Sequence, residues 1–245
     1  IFDTLVTRFF LKPEDIKLVV QNKLQDCAVL DHFAAIRTES EEVARKTLNR
    51  DVCIDDIYDV MGKKYLLSKE TTEYVKKLEL KLETLSISKR QEVASLVPQM
   101  SLQNRVALAS DMFLSKSTIS SILNDLNIGC YNDFFLSNEI NKRKDCGSMY
   151  DFIIQKSAIN PVDILMIGDN VVSDVQIPLN KGITVHYLPS NFDVARSFPD
   201  MREMIDSQKA ATDLAYRTLL GVVVEDVYTI ACLATVGETS LFKYN

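Results

Sequence analysis

The sequence predicts an α/β fold in which a parallel sheet is interrupted, after its first strand, by a long helical insertion. Three observations predict it. Short apolar runs recur after Pro98, each followed by a stretch of helical periodicity. Residues 13–98 carry helical spacing almost throughout. The stretch "ILMIGDNVVSD" (164–174) closes an apolar run with a glycine and an aspartate and sets a second aspartate five positions on. That is the composition of a strand tip, where an open parallel sheet builds its site.

Taken in order, "IFDTLV" (1–6) reads as the end of an apolar first strand. Ile16, Val20 and Leu24 then follow an i, i+4, i+8 spacing, as do Phe33, Arg37, Glu41 and Arg45. A long helix is expected from Ser68, with Val75, Leu78, Leu82 and Leu85 on its inner face. "RVALAS" (105–110) is the next strand. The helix of 115–129 follows, with Ile119, Ile122, Leu123 and Leu126 facing inward and Gly129 as its stop. "DFFLS" (133–137) is a strand, 147–159 a helix, "DILMIGD" (163–169) a strand, 173–182 a short helical crossover and "ITVHYLP" (183–189) the last strand. With the first strand, at least four strands are expected to run parallel. The tail "KAATDLAYRTLLGVVVEDVYTIACLA" is one long helix or two.

Composition bounds the function. Of 245 residues 47% are apolar and 25% charged, the balance of a soluble globular protein. The net charge of −6 argues against nucleic acid as a partner. No apolar run reaches the roughly 20 residues of a membrane span; "GVVVEDVYTIACLATVG" is broken by Glu225 and Asp226. The five cysteines (27, 53, 130, 146 and 232) are odd in number and scattered, with no C-x-x-C pair. They read as free thiols in a reducing cytoplasm. The start at Ile1, inside an apolar stretch, reads as a segment of a longer protein.

Chemistry concentrates at the expected strand tips. Gly168 lets backbone and ligand approach, Asp169 projects from the tip, and Asp174 reaches back from the next helix. Two convergent carboxylates suit Mg²⁺, a hard cation that takes oxygen ligands. The alternative is a turn at Asp169 followed by a helix cap. Ser110 ends another strand, where its hydroxyl and the free N–H groups beyond it can hold an anion. Lys142, Arg143 and Lys144 follow a third. Arg8, Arg37 and Arg45 are candidates for a second anionic group; for the last two, a solvated ladder with Glu41 is the competing reading. His32 and His186 read as structural or surface residues.

This order of motifs resembles the haloacid dehalogenase (HAD) superfamily of phosphohydrolases. Its pattern is D-x-D-x-T, then a strand ending in Ser or Thr, then a lysine, then G-D-x-x-x-x-D. "GDNVVSD" fits the last element, "ALASDMF" the second, and "KDCGSMY" selects Lys144 as the lysine. "IFDTLVTR" and "FAAIRTESEEVAR" are similar to a bacterial subgroup with F-D-I-F-D-T-L-L-x-R and F-x-x-x-R-x-x-A-E-x-x-A-R, associated with polysaccharide synthesis and glycosyltransferases. The resemblance implies a HAD-like core of residues 1–12 and 99–198, a helical cap of 13–98, and a C-terminal helical extension of 199–245, either docked on the sheet or the start of a further domain. It implies a Mg²⁺-dependent phosphatase acting on a sugar phosphate or phosphorylated glycan through an aspartyl-phosphate. Ser110, Lys144, Asp169 and Asp174 are then catalytic. Asp3, Thr4, Arg8, Asp111 and Met112 bind substrate, and Phe2 (through its carbonyl), Asp169 and Asp174 hold the metal. Further domains of the same polypeptide, such as a glycosyltransferase, are the implied partners.

The pattern breaks at its start. Aligning Thr4 with the motif threonine puts the nucleophile one place before Ile1 and Phe2 at the general-acid position, so the chain as it stands is expected to be inactive. A catalytically inactive scaffold in a larger polysaccharide-synthesis protein is therefore the second reading.

Overall fold

The computed structural model describes residues 1–24, 30–48 and 50–237, with side chains as far as Glu225. Cys27, and the Cys232 side chain, lie outside the described residues. Cys53, Cys130 and Cys146 are free thiols.

The N-terminus corrects the expected first strand. Residues 3–5 form a turn, with Asp3 in the left-handed region at φ 56° and the Leu5 amide donating to the Ile1 carbonyl at 2.7 Å. Only Phe2 makes a bridge, to Val6. Strand β1 is Val6–Arg8, and it pairs antiparallel with β2 (Ile87–Lys89), Val6 opposite Lys89. The apolar composition of "IFDTLV" is spent on burial, not on a ladder: Ile1, Leu5 and Val6 are all in the core.

Between these two strands run α1 (Asp15–Lys23), α2 (Phe33–Leu48), α3 (Ile54–Lys64) and α4 (Lys69–Leu85). The first two follow their periodicity. Ile16 and Val20 of α1 and Phe33 and Ile36 of α2 are buried. The Ser68 hydroxyl caps α4 by accepting the Thr71 N–H at 3.0 Å. The inner face of α4 departs from expectation. Val75 is buried and Leu78 and Leu82 partly so, but Leu85 is 64% exposed, and Glu79 and Glu83 lie inside instead. Their burial is possible because each meets an arginine.

After α5 (Gln91–Ala94) and α6 (Val97–Ser101), strand and helix alternate: β3 (Ala107–Ser110), α7 (Lys116–Asp125), β4 (Asp133–Leu136), α8 (Ser137–Ile140), α9 (Ser148–Ser157), β5 (Leu165–Gly168), a π-helical turn (Val171–Gln176), α10 (Ile177–Asn180) and β6 (Thr184–Tyr187). β3 pairs parallel with β4, Ser110 opposite Leu136, and β5 parallel with β6, Gly168 opposite Tyr187. The two parallel pairs are not joined in one ladder among the described residues. Ile119, Ile122 and Leu123 of α7 are buried as expected, but the chain turns at Asn127 and Cys130, both at positive φ, and not at Gly129.

The tail is two helices and not one. After α11 (Asn191–Ser197) and α12 (Pro199–Asp206) come α13 (Gln208–Thr212) and α14 (Leu214–Gly237), broken at Asp213. Leu220 and Val224 of α14 pack with Leu11, Ala195, Ile205 and Ala210 in a small core of their own. Gly221 permits this docking, because a Cβ there would stand 2.2 Å from the Phe9 carbonyl oxygen. Arg217 adds an ion pair to Asp15 at 2.9 Å. No helix of the described residues is long and apolar enough to cross a membrane.

Candidate active site

A cavity of about 650 Å³ lies between the helices α1, α2 and α4 and the C-terminal tips of β3 and β5. Ser110, Lys144, Asp169 and Asp174, drawn from three separate stretches of sequence, all line it. Phe2, Arg8, Asp111 and Met112 line it too, while Asp3 faces a smaller cavity of about 300 Å³ that shares Arg8 and Asp169 with the first.

The centre of the arrangement is an ion pair. Lys144 Nζ donates to Asp174 Oδ1 at 2.6 Å, with 11% and 4% of the two side chains exposed. Asp174 is placed by the π-helical turn. Its Oδ2 accepts the Asn170 N–H at 3.3 Å, and the Tyr150 hydroxyl donates to the Ser173 carbonyl at 2.6 Å. Burial, then the negative charge of Asp174, raises the Tyr150 pKa, so this phenol remains a donor. Asn170 caps the turn through the Val172 and Ser173 amides at 3.0 and 2.9 Å.

Gly168 has its reason here. A Cβ on it would sit 2.4 Å from Asp174 Oδ2 and 2.6 Å from Asp174 Cβ. The second of these belongs to the stiff root of the side chain, so the turn itself would have to move. Gly168→Ala is expected to cost about 1–3 kcal/mol, as overpacking does, and to separate Asp174 from Lys144. Urea unfolding measures the first effect; a midpoint equal to wild type would show that the turn absorbs a methyl without loss.

Asp169 accepts a hydrogen bond from the Thr4 hydroxyl at 3.1 Å. Burial first, then the neighbouring Asp3 carboxylate, raises its pKa; burial raises that of Asp3 as well. The pair is an electrostatic demand for positive charge. The nearby donors are all oxygen, which suits a hard cation: the Asp169 carboxylate and the Phe2 carbonyl, which itself accepts from Thr4 at 3.4 Å. Asp174 faces Lys144 and the turn amides. No group of three or more His, Cys, Asp or Glu side chains is assembled for a metal among the described residues.

Met112 presents little of its backbone to a ligand. Its N–H donates to the Ser137 hydroxyl at 3.1 Å and its carbonyl accepts from Asn138 Nδ2 at 2.8 Å. The Ser137 hydroxyl in turn donates to Asp51, a buried carboxylate also held by Arg45.

The three arginines are not open anion receptors. Arg8 Nη2 binds Glu83 at 2.6 Å, with its guanidinium 4.3 Å from the centre of the Phe2 ring. Arg45 binds Glu41 at 2.8 Å, and also Asp51. Arg37 is fully buried, which corrects the solvated ladder: it reaches Glu79 at 3.0 Å and Glu41 at 3.0 Å and lies 5.0 Å from the Phe113 ring. Burial pulls its pKa down, but Glu79, Glu41 and Tyr58 together outweigh burial and leave it above its usual value. The helical wall of the cavity is therefore of mixed charge: Glu41, Glu79 and Glu83, held by arginines, stand beside Glu14 and Lys17. Sequence reasoning missed Glu79 and Glu83; the signal was that they share a helical face with Val75, at i+4 and i+8.

No protein-family model matches the chain, and no curated protein matches it in sequence. Its fold is similar to that of a haloacid dehalogenase-like family hydrolase from Xanthomonas campestris (TM-score 0.55, 16% identity, 90% of this chain and 91% of that one). The fold is that of the haloacid dehalogenase-like hydrolases. The L-2-haloacid dehalogenase of Xanthobacter autotrophicus (TM-score 0.53, 10% identity, 86% and 83% covered) and a HAD phosphatase from Thermococcus onnurineus (0.51, 11%, 76% and 81%) share it. Dehalogenase and phosphatase alike use this fold, so the fold by itself fixes no activity.

Proposed function

We propose that the intact protein is a Mg²⁺-dependent phosphomonoesterase acting on a sugar phosphate or phosphorylated glycan, with residues 13–98 as the cap over its site. The observation that carries this reading is the convergence of Ser110, Lys144, Asp169 and Asp174 on one cavity, with Lys144 locked to Asp174 at 2.6 Å. A lysine and a strand-tip hydroxyl beside a carboxylate that calls for a cation form a receptor for a phosphoryl group. Mg²⁺ held by Asp169 and the Phe2 carbonyl would supply Lewis-acid charge there. Ser110 and Lys144 hold the phosphoryl oxygens, and Thr4 orients Asp169. The nucleophile of this reading is the aspartate expected immediately before Ile1. Membership of the subgroup tied to polysaccharide synthesis, a cytoplasmic location and a glycosyltransferase partner belong to the same proposal.

Phe2 favours the competing reading of an inactive scaffold. Its ring lies beneath Arg8 where the resemblance places a general acid. Phosphate release from p-nitrophenyl phosphate and a panel of sugar phosphates, with and without Mg²⁺, separates the two. Mg²⁺-dependent release is expected, and Asp169→Asn is expected to abolish it together with Mg²⁺ binding in calorimetry. No release from any ester would favour the scaffold; equal Mg²⁺ affinity in the Asp169→Asn variant would remove the metal from this carboxylate.

A further inference from the structure

We propose that Asp111 is a positioning residue, a clamp that fixes the Lys144 ammonium relative to the Ser110 hydroxyl, and not a substrate ligand. The inference rests on the phosphatase reading for its catalytic consequence, but not for its geometry.

Asp111 follows Ser110 directly at the tip of β3, and its carboxylate turns to the main chain of the lysine loop. Both oxygens accept the Lys144 N–H, at 3.1 and 2.9 Å, and the neighbouring Asp145 amide favours the charged form of the same carboxylate. The rest of that loop is closed on itself. Gly147 N–H donates to the Lys144 carbonyl at 2.9 Å, Arg143 N–H to the Ser148 hydroxyl at 2.9 Å, and Met149 N–H to the Arg143 carbonyl at 3.0 Å. These bonds shape the loop but leave its position over the cavity open. Asp111 ties it to β3, and the Lys144–Asp174 pair ties it to the turn after β5.

The consequence is geometric. Ser110 is one residue from the clamp and Lys144 is the residue clamped, although 33 positions separate Asp111 from Lys144 in sequence. A carboxylate suits this task because it accepts several amides at once, and such charge-assisted bonds are roughly twice as strong as neutral ones. The orientation also limits its other uses. Its acceptors face the amides of 144 and 145, so a phosphoryl group at Ser110 and Lys144 would meet the edge of a carboxylate already engaged. Burial raises the Asp111 pKa, which fits a carboxyl enclosed between two loops rather than one facing bulk water.

The test uses the intact protein with Asp111→Ala and Asp111→Asn. An asparagine oxygen still accepts the Lys144 N–H, so it is expected to rescue. In steady-state hydrolysis of p-nitrophenyl phosphate, Asp111→Ala is expected to lower kcat by roughly 10–100-fold, the scale at which misplaced groups cost rate, with KM changed less than about threefold. Asp111→Asn is expected to stay within about fivefold of wild type in kcat. A substrate ligand would behave otherwise: KM would rise in both variants and Asn would not rescue. The second measurement needs no activity. Amide hydrogen exchange is expected to accelerate at Lys144 and Asp145 in Asp111→Ala while the amides of β3 and β5 keep their protection. Wild-type exchange at 144 and 145 in that variant would overturn the clamp whatever the enzyme does. Failure of wild-type protein to release phosphate would overturn the phosphatase reading and leave the exchange result to decide the clamp.

Discussion

Lys144→Met is expected to inactivate the intact protein and to destabilise it. Both effects come from one ion pair. On the phosphatase reading the lysine sets a positive charge where phosphoryl oxygens gather negative charge; loss of one such preorganised donor costs on the order of 10²–10³-fold in kcat. Its structural role is to neutralise Asp174, whose side chain is only 4% exposed. Removing one partner of a buried pair leaves an uncompensated charge and costs about 3–5 kcal/mol. Methionine keeps the length and apolar stem of lysine, so the loss reports charge and not volume. The double variant Lys144→Met with Asp174→Asn separates the roles. It is expected to recover part of the lost stability in urea unfolding and none of the activity. A single variant as stable as wild type would mean that Asp174 is satisfied by the Asn170 amide and the Ser173 hydroxyl alone.

How much of this was legible beforehand depends on the kind of interaction. The strands at 107–110, 133–136 and 165–168 announced themselves because parallel strands are apolar on both faces, and Gly168 because a glycine before an acid at a strand end has few other uses. Lys144 and Asp174 lie 30 residues apart and their contact was foreseeable only through the order of motifs. What escaped was what periodicity does not encode. A helical face marked by Val75 carries Glu79 and Glu83 inward because arginines from elsewhere await them, and a single-helix pattern contains no trace of those partners. Asp51 likewise looks like a loop residue until Ser137 and Arg45 are brought to it. The first strand was misread because burial and strand pairing leave the same apolar signature, and Asp3 at positive φ turns the chain before a ladder can form.

Arg37→Met tests the inward face of α2 and is expected to be among the most damaging single changes outside the ion pair at Lys144. The guanidinium is fully buried and satisfies Glu79, whose side chain is 2% exposed, and Glu41, one turn along α2. Tyr58 completes the set by donating to Glu79 Oε2 at 2.5 Å, and burial together with Glu79 holds its pKa well above the usual value. Without the arginine, Glu79 retains a neutral phenol and no bonded counter-charge, Lys17 acting on it only from a distance, so a loss of about 3–5 kcal/mol is expected. Arg37→Lys should not restore it. An ammonium cannot present separate N–H groups to two carboxylates in the plane that lies near Phe113. The change that should restore stability is Glu79→Gln added to Arg37→Met, because a neutral amide can accept from Tyr58 without a charge to compensate. Thermal unfolding of the four proteins measures this. If Arg37→Met matches wild type, the buried pair contributes nothing net. If only Arg37→Lys is tolerated, positive charge and not guanidinium geometry holds the wall of the cavity in place.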